Sequence, residues 1–289
     1  MEGWIMKNLN GNKKENLKVM MAFFSATGNT KKITNIIQKK LDDLNVNVIT
    51  LDITSNSSRE EDISISQYGA VIFGFPIYSM RAPRVCREWI QKFDGEGKKC
   101  SVFFTYGGFG KDPAHYYMKE LLDKQNFKLV STAEFLGAHT FNRSGWKAVN
   151  ERPNHSDFEV AQEYTIRTIQ RFTGEDLNQL SEFKKPMFSS SQLDQAEKYR
   201  FHIITQLPTR GTKSCSMCRL CEKICPTNAM DAIKGTADAN SCIACFRCIV
   251  NCPDKVLHTN DLTNTWSRKL ELHKTTKEEI DNLESKIYL

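Results

Sequence analysis

The chain has 289 residues, which is room for about two domains. No apolar run approaches the length of a membrane-spanning helix, and the first seventeen residues are polar and lysine-rich, without the apolar stretch of a signal peptide. We therefore expect a cytoplasmic protein without membrane insertion. The formal net charge is +6, but the basic residues are scattered rather than gathered in one stripe, so nucleic acid is not an expected partner.

Apolar runs alternate with helical patterns in the N-terminal part of the chain. Five runs with the length of buried strands lie at residues 18–24, 46–51, 68–75, 100–106 and 127–136. Helical patterns follow four of them, at about residues 30–41, 83–93, 114–124 and 158–172. This alternation predicts an α/β fold with a doubly wound, five-stranded parallel sheet.

Three loops of this sheet are candidates for ligand binding. Ligands of such sheets bind beyond the carboxyl ends of the strands, where the strand order reverses. Residues 25–30, 76–83 and 106–112 follow strands and are rich in glycine, proline, hydroxyl or aromatic residues. We expect one ligand to lie across these loops.

The first loop predicts a phosphate site. It reads Ser25-Ala26-Thr27-Gly28-Asn29-Thr30 between a strand and a helix. Unpaired amides at a helix N-terminus attract a phosphate dianion, the hydroxyl groups add donors, and the glycine lets the backbone approach closely. The loop has no lysine and matches neither the nucleoside-triphosphate loop nor G-x-G-x-x-G. An ordinary helix cap is the alternative interpretation.

The other two loops could hold a flat ring. Aromatic side chains could stack on the ring, and backbone amides beside glycine could meet its polar edge. The candidate residues are Pro76, Ile77, Tyr78 and Ser79 in one loop and Tyr106, Gly107, Gly108 and Phe109 in the other. Simple packing at the rim of the sheet is the alternative for the aromatic residues.

Two copies of one cysteine pattern lie near the C-terminus. Each reads C-x2-C-x2-C-x3-C-P, which is the run of bacterial ferredoxins that carry two four-iron clusters. The first copy contains Cys215, Cys218, Cys221, Cys225 and Pro226, and the second contains Cys242, Cys245, Cys248, Cys252 and Pro253.

The spacing of the cysteines assigns them to two clusters. Three cysteines at two-residue intervals wrap one cluster, and the fourth binds the neighbouring cluster. We therefore predict one [4Fe-4S] cluster on Cys215, Cys218, Cys221 and Cys252, and another on Cys242, Cys245, Cys248 and Cys225. The alternatives are zinc, which usually takes two separated pairs of ligands, and disulfides, which need an oxidising compartment.

These motifs together resemble a known family. The first loop resembles the phosphate loop of flavodoxins, and Gly74-Phe75-Pro76-Ile77-Tyr78 with Ala82-Pro83 resembles their second flavin loop. Over residues 18–260 the chain is similar to the flavodoxin–ferredoxin fusion family of anaerobic prokaryotes. The resemblance implies a flavodoxin-like domain that binds flavin mononucleotide (FMN), followed by a small α+β ferredoxin domain with two [4Fe-4S] clusters.

These patterns divide residues 18–289 into four segments. We expect the FMN-binding domain at residues 18–173, a partly helical linker at 174–208, the ferredoxin domain at 209–261 and a partly helical tail at 262–289. The expected linker helix spans about residues 192–203. In the tail, Ile280, Leu283 and Ile287 form a helical stripe suited to packing on a neighbour.

The leading functional hypothesis is an intracellular electron-transfer flavoprotein that passes single electrons between FMN and the two clusters. Its partner would be a redox protein, such as a ferredoxin or an oxidoreductase, or a small-molecule acceptor. The alternative is an FMN-dependent reductase of a small organic substrate, in which Tyr78, Tyr106 or His115 could serve as the acid, although no catalytic residue is assigned. A zinc-stabilised binding module is the third hypothesis.

Overall fold

A computed structural model describes residues 17–289 of the chain. The prediction that the N-terminal segment contains no signal peptide therefore lies, except for Leu17, outside the described residues. In the described part, no helix is both long and apolar enough to cross a bilayer.

The strands and helices alternate in the order that the sequence predicts for the N-terminal part. The strands are β1 (Lys18–Phe23), β2 (Asn47–Asp52), β3 (Ala70–Pro76), β4 (Lys99–Tyr106), β5 (Lys128–Leu136), β6 (Thr209–Arg210), β7 (Met230–Asp231), β8 (Thr236–Ala237), β9 (Leu257–His258) and β10 (Lys286–Tyr288). The α-helices are α1 (Asn29–Asp43), α2 (Arg84–Ile90), α3 (Asp112–Lys124), α4 (His155–Thr173), α5 (Ser190–Lys198), α6 (Arg200–Ile203), α7 (Leu220–Lys223), α8 (Arg247–Val250), α9 (Thr263–His273) and α10 (Lys277–Asp281).

The large sheet has the strand order β10-β5-β4-β3-β1-β2. Strands β1 to β5 pair in parallel, whereas β10 pairs antiparallel with β5. The predicted sheet of five parallel strands is thus corrected to a mixed sheet of six. The sequence predicts a helical stripe rather than a strand at Ile287, and β10 forms because it pairs with the edge of β5 that would otherwise remain open.

The central strands are buried along almost their whole length because both faces of the sheet are covered. Successive side chains of a strand point to opposite faces. Met20 and Ala22 of β1 join the core beneath α2 and α3, while Val19 and Met21 join the core beneath α1 and α4. The helices of the two faces thus complete an α/β unit, residues 18–173.

The segment after α4 is anchored to the α/β unit by buried ion pairs. The predicted linker helix is divided at Tyr199 into α5 and α6. Arg81 is 2% exposed and lies 2.9 Å from Glu197 and 2.7 Å from Asp194 of α5. Arg87 of α2 lies 2.8 Å from the same Glu197. Because both guanidinium groups meet carboxylates, the linker is held in a defined position.

Residues 209–261 form a cysteine-rich unit with a repeated backbone. Its strands, two residues long, form a sheet in the order β7-β8-β6-β9 with antiparallel pairing. Positive φ angles occur in the first cysteine run and its continuation at Met217, Arg219 and Asn228, and at the corresponding positions of the second copy, Ala244, Phe246 and Lys255. The two copies therefore share their loop conformation as well as their cysteine spacing.

The tail returns to the α/β unit. Trp266 of α9 and Ile280 of α10 are buried against Tyr106 and Trp146. The predicted helical stripe through Ile287 is wrong, because α10 ends at Asp281 and Ile287 lies on β10. Its apolar residues still pack on a neighbour, as expected, because β10 and α10 both cover the α/β unit.

Candidate functional site

A cavity of about 310 Å³ lies at the carboxyl ends of β1, β3, β4 and β5. Of the loop residues predicted to bind a ligand, all except Gly28 and Gly108 line it. The three loops therefore meet at one site, as the rule for parallel sheets requires. Binding of the predicted ligand by these loops stays a prediction.

The first loop has the geometry of an anion site. Gly28 precedes α1 with φ +104°, a backbone conformation that side chains with a Cβ rarely adopt. The Ser25 hydroxyl accepts a hydrogen bond of 3.1 Å from the Lys31 amide. The Thr30 hydroxyl lies 2.8 Å from that of Thr105, and Asn29 donates to the Ala138 carbonyl at 2.9 Å. These contacts fix the loop, while the first amides of α1 have no carbonyl within the helix to bond.

The second and third loops are shaped by close backbone approaches. A tight turn joins Tyr78 to Arg81, with hydrogen bonds of 2.8 and 3.1 Å between their backbones and positive φ angles at Ser79 and Met80. At Gly107, a Cβ atom would lie 2.3 Å from the His139 ring. Glycine is therefore needed there for the third loop to approach the loop that follows β5.

Several lining residues come from segments in which the sequence predicts no ligand-binding residue. The loop after β5 contributes His139, Phe141 and Trp146, the tail contributes Lys269, and the linker contributes Arg200. The loop after β5 could have been found, because it ends a parallel strand at the same edge as the other three. Lys269 could not, since only tertiary packing brings α9 to the cavity.

Burial lowers the pKa values of basic side chains that line the cavity. Burial, with a contribution from the charge of Lys269, lowers the pKa of His139 to about 4, so its ring is neutral at pH 7. Burial also lowers the pKa of the Lys269 ammonium group. His115, a candidate acid in the sequence analysis, does not line the cavity. It is buried between Glu134, at 3.1 Å, and Thr132, at 3.0 Å.

The structure gathers the motif cysteines into the two predicted sets. Cys215, Cys218, Cys221 and Cys252 line one small cavity with Pro253 and Val256. For the other set, burial raises the pKa of Cys248, and the nearby thiols of Cys245, Cys242 and Cys225 raise it further. The fourth cysteine of each run thus lies with the other run.

The surroundings of the cysteines fit a bound cluster. The Ala229 amide donates a hydrogen bond of 3.3 Å to the Cys225 sulfur, which is a contact that stabilises a thiolate. None of the ten cysteines forms a disulfide. Within residues 17–289, no three His, Cys, Asp or Glu side chains converge as ligands of a single metal ion. A [4Fe-4S] cluster does not require such convergence, because each of its four cysteines binds a different iron atom.

The second cysteine set lies against the α/β unit. Arg247, within the second motif, donates hydrogen bonds of 3.0 and 3.1 Å to the carbonyl groups of Ser25 and Ala26 in the first loop. Ile243 and Cys245 are buried in the core of the α/β unit, and Ile243 and Ala244 line its cavity. The candidate ring site and the second cysteine set therefore share a wall.

One family model matches part of the α/β unit. Residues 20–148 match the family model of the flavodoxin domain. No curated protein matches the chain. Among the solved structures similar to it is an archaeal flavodoxin, with 15% sequence identity and a TM-score of 0.41, over 54% of this chain and 99% of that chain. Another is the oxidised Flavodoxin 2 of Bacillus cereus, with 20% identity and a TM-score of 0.43, over 53% of this chain and 99% of that chain. A third is the rubredoxin oxygen:oxidoreductase of Desulfovibrio gigas, with 18% identity and a TM-score of 0.41, over 58% of this chain and 38% of that chain.

The family match covers most of β1, all of β2 to β5, and the loops of this sheet that line the cavity. The strand order β2-β1-β3-β4-β5 is that of the doubly wound flavodoxin-like arrangement. Residues 20–148 therefore match a flavodoxin domain, and the α/β unit has a flavodoxin-like fold with a mainly parallel sheet.

Proposed function

We propose that the protein is an electron-transfer flavoprotein in which FMN in the cavity exchanges single electrons with two [4Fe-4S] clusters on the two cysteine sets. The observation that carries this proposal is the shared wall, in which Ile243 and Ala244, between two motif cysteines, also line the cavity. When bound, FMN supplies one- and two-electron chemistry and each cluster supplies one-electron chemistry.

Residues of the first three loops would hold FMN. The amides at the start of α1 and the hydroxyl groups of Ser25 and Thr27 would bind the phosphate. Tyr78 and Phe109 line the cavity and offer flat surfaces to the ring. The cavity volume of about 310 Å³ lies at the lower end of the range for small-molecule sites.

The position of each cysteine set suggests a separate role for it. Cys245 and Cys248 are buried, and the second set adjoins the cavity. Cys218 of the first set is exposed, so this set can approach an external partner. We infer that a cluster on the first set exchanges electrons with the external partner, and that a cluster on the second set exchanges electrons with FMN. The partner would be a ferredoxin, an oxidoreductase or a small-molecule acceptor, in the cytoplasm.

Reduction of a small organic substrate is the second candidate function. It is favoured by the aromatic side chains Phe141 and Trp146, which line the cavity in addition to the loops assigned to FMN. Tyr78 and Tyr106 also line it and could donate a proton, whereas His115 could not reach it.

Metal, sulfide and flavin analysis after anaerobic reconstitution tests the proposal. We expect about eight iron atoms, an equal amount of acid-labile sulfide and one FMN per chain. About two zinc ions without sulfide would instead support a zinc-stabilised binding module and overturn both redox functions. Cys218→Ser and Cys245→Ser should each reduce the content of one cluster and leave FMN bound.

Anaerobic turnover separates a carrier from a reductase. A carrier exchanges electrons with a reduced ferredoxin and consumes no small organic acceptor. A reductase oxidises the same donor only when such an acceptor is present.

A further inference from the structure

The cavity extends from the third loop, which is assigned to FMN, to aromatic side chains of the loop that follows β5. We call Phe109, Phe141 and Trp146 the aromatic wall. The ring centroid of Trp146 lies 6.0 Å from that of Phe109 and 5.2 Å from that of Phe141. The imidazole of His139 lies 4.6 Å from the Trp146 ring. This end of the cavity therefore presents flat, largely apolar surfaces.

Lys269 of α9 brings a positive charge to this end. Its Nζ atom lies 5.3 Å from the centroid of the Phe109 ring. Burial lowers its pKa, and no carboxylate in the described part of the chain raises it. Arg200, a second cation of the lining, differs because it donates a hydrogen bond of 2.5 Å to the Glu197 carbonyl and lies 4.0 Å from the Glu197 carboxylate.

The charge of Lys269 acts on its neighbours. It contributes to the lowered pKa values of His139 and His273, which favours the neutral form of both rings. Holding an ammonium group in partly apolar surroundings costs free energy unless an anion is near. No carboxylate is among the described side chains that line the cavity, so a bound molecule would have to supply the anion.

We propose that this end of the cavity is a subsite for a planar organic anion, with the aromatic wall as its stacking surface and Lys269 as its counter-ion. The inference rests on the proposed function, because the subsite adjoins the site assigned to FMN. Two sources share this chemistry: the carboxylate of an aromatic acceptor, and the ring of FMN when it is reduced and deprotonated. A cation near the ring tunes a flavin in the second case.

Three variants of the protein loaded with FMN and iron test this subsite. Lys269→Met removes the charge, and Lys269→Arg keeps it. Arg268→Met is the matched control, because Arg268 is the preceding residue of α9 and is exposed. Each variant is titrated with benzoate, followed by the flavin absorbance, and its flavin midpoint potential is measured.

We expect Lys269→Met to weaken benzoate binding about tenfold, or to lower the flavin potential by about 30 mV, which is a tenfold change for a two-electron couple. The first result identifies an acceptor as the anion, and the second identifies reduced FMN. Lys269→Arg should retain most of either property, and Arg268→Met should behave as the parent protein.

Two results would overturn the subsite. One is an unchanged benzoate affinity and potential in Lys269→Met. The other is a loss of affinity for FMN but not for riboflavin, since Lys269 would then neutralise the phosphate. Because FMN and iron are measured in every variant first, either result leaves the proposed function standing. Absence of both cofactors from the parent protein instead refutes the proposed function, and the subsite with it.

Discussion

The α/β unit and the cysteine-rich unit derive their structure from different sources. The α/β unit buries apolar side chains on both faces of its sheet, including Phe73 and Trp89. The cysteine-rich unit has one small core, in which Ala229, Met230, Ala237 and Leu257 pack with the motif cysteines. A core of that size rarely sustains a fold alone, so we expect the second unit to depend on what its cysteines bind.

Removal of the metal should have the largest effect and should act on one unit only. After chelation of iron, we expect residues 209–261 to lose their protection against hydrogen exchange, because metal binding supplies much of their folding free energy. Residues 18–173 should keep theirs. Mass spectrometry of the exchanged peptides measures this, and restoring iron and sulfide should restore protection. Equal protection of the cysteine-rich unit with and without metal would show that its apolar core suffices.

Truncation of a core side chain should affect the α/β unit instead. Phe73 is 0% exposed, and its ring lies 5.6 Å from Phe127 and 6.1 Å from Phe75. Phe73→Ala should lower the free energy of unfolding by about 3–5 kcal/mol, measured by denaturant titration, because it leaves a cavity. Leu177→Ala, at a position 83% exposed, is the control and should change little. A cost below about 1 kcal/mol for Phe73→Ala would contradict this description of the core.

The contact between the units should have an intermediate effect. Arg247→Met removes two hydrogen bonds to the first loop and should weaken FMN binding by about 2–3 kcal/mol, because bonds from a charged donor contribute more than neutral ones. Fluorescence titration with FMN measures this. Lys223→Met, an exposed position within the first motif, is the control. If both variants bind FMN equally well, Arg247 does not support the loop.

The smallest effect should be a pH dependence from His139. Its pKa of about 4 lies below its ordinary value, so the unfolded chain takes up a proton before the folded one. Stability should therefore fall as the pH falls from about 6.5 to 4, by about 1–2 kcal/mol for this partly exposed ring beside Lys269. His139→Gln should flatten the dependence and His155→Gln, at an exposed position, should not. Identical pH profiles for parent and His139→Gln would refute the assignment.

Local patterns made the α/β unit predictable. Strand β3 is an unbroken apolar run, and α1 repeats Ile33, Ile37 and Leu41 on one face, so both could be placed within about two residues. The grouping of the cysteines could be predicted because the spacing indicates which run supplies the fourth cysteine of each set. In both cases the information lies within a short stretch of chain.

The return of the tail could not be predicted because its contacts are distant in sequence. The Val149 amide donates to Asp281 at 3.0 Å, the Leu136 amide donates to Ser285 at 3.1 Å, and Tyr288 donates to Glu134 at 3.0 Å. Each is an ordinary polar pair that no local pattern distinguishes from a solvated side chain. The same docking brings Lys269 to the cavity, so the unpredicted part of the fold is also the unpredicted part of the site.

Redistribution of electrons within the loaded protein tests the central claim most directly. Under anaerobic conditions, the flavin is reduced by light in one sample and the clusters by a reduced ferredoxin in another, and both are followed at the separate flavin and cluster absorption bands. With equal numbers of electrons added, both samples should reach the same distribution at a rate independent of protein concentration, because all the centres lie on one chain. Redistribution that scales with protein concentration, or that never occurs, would contradict the account.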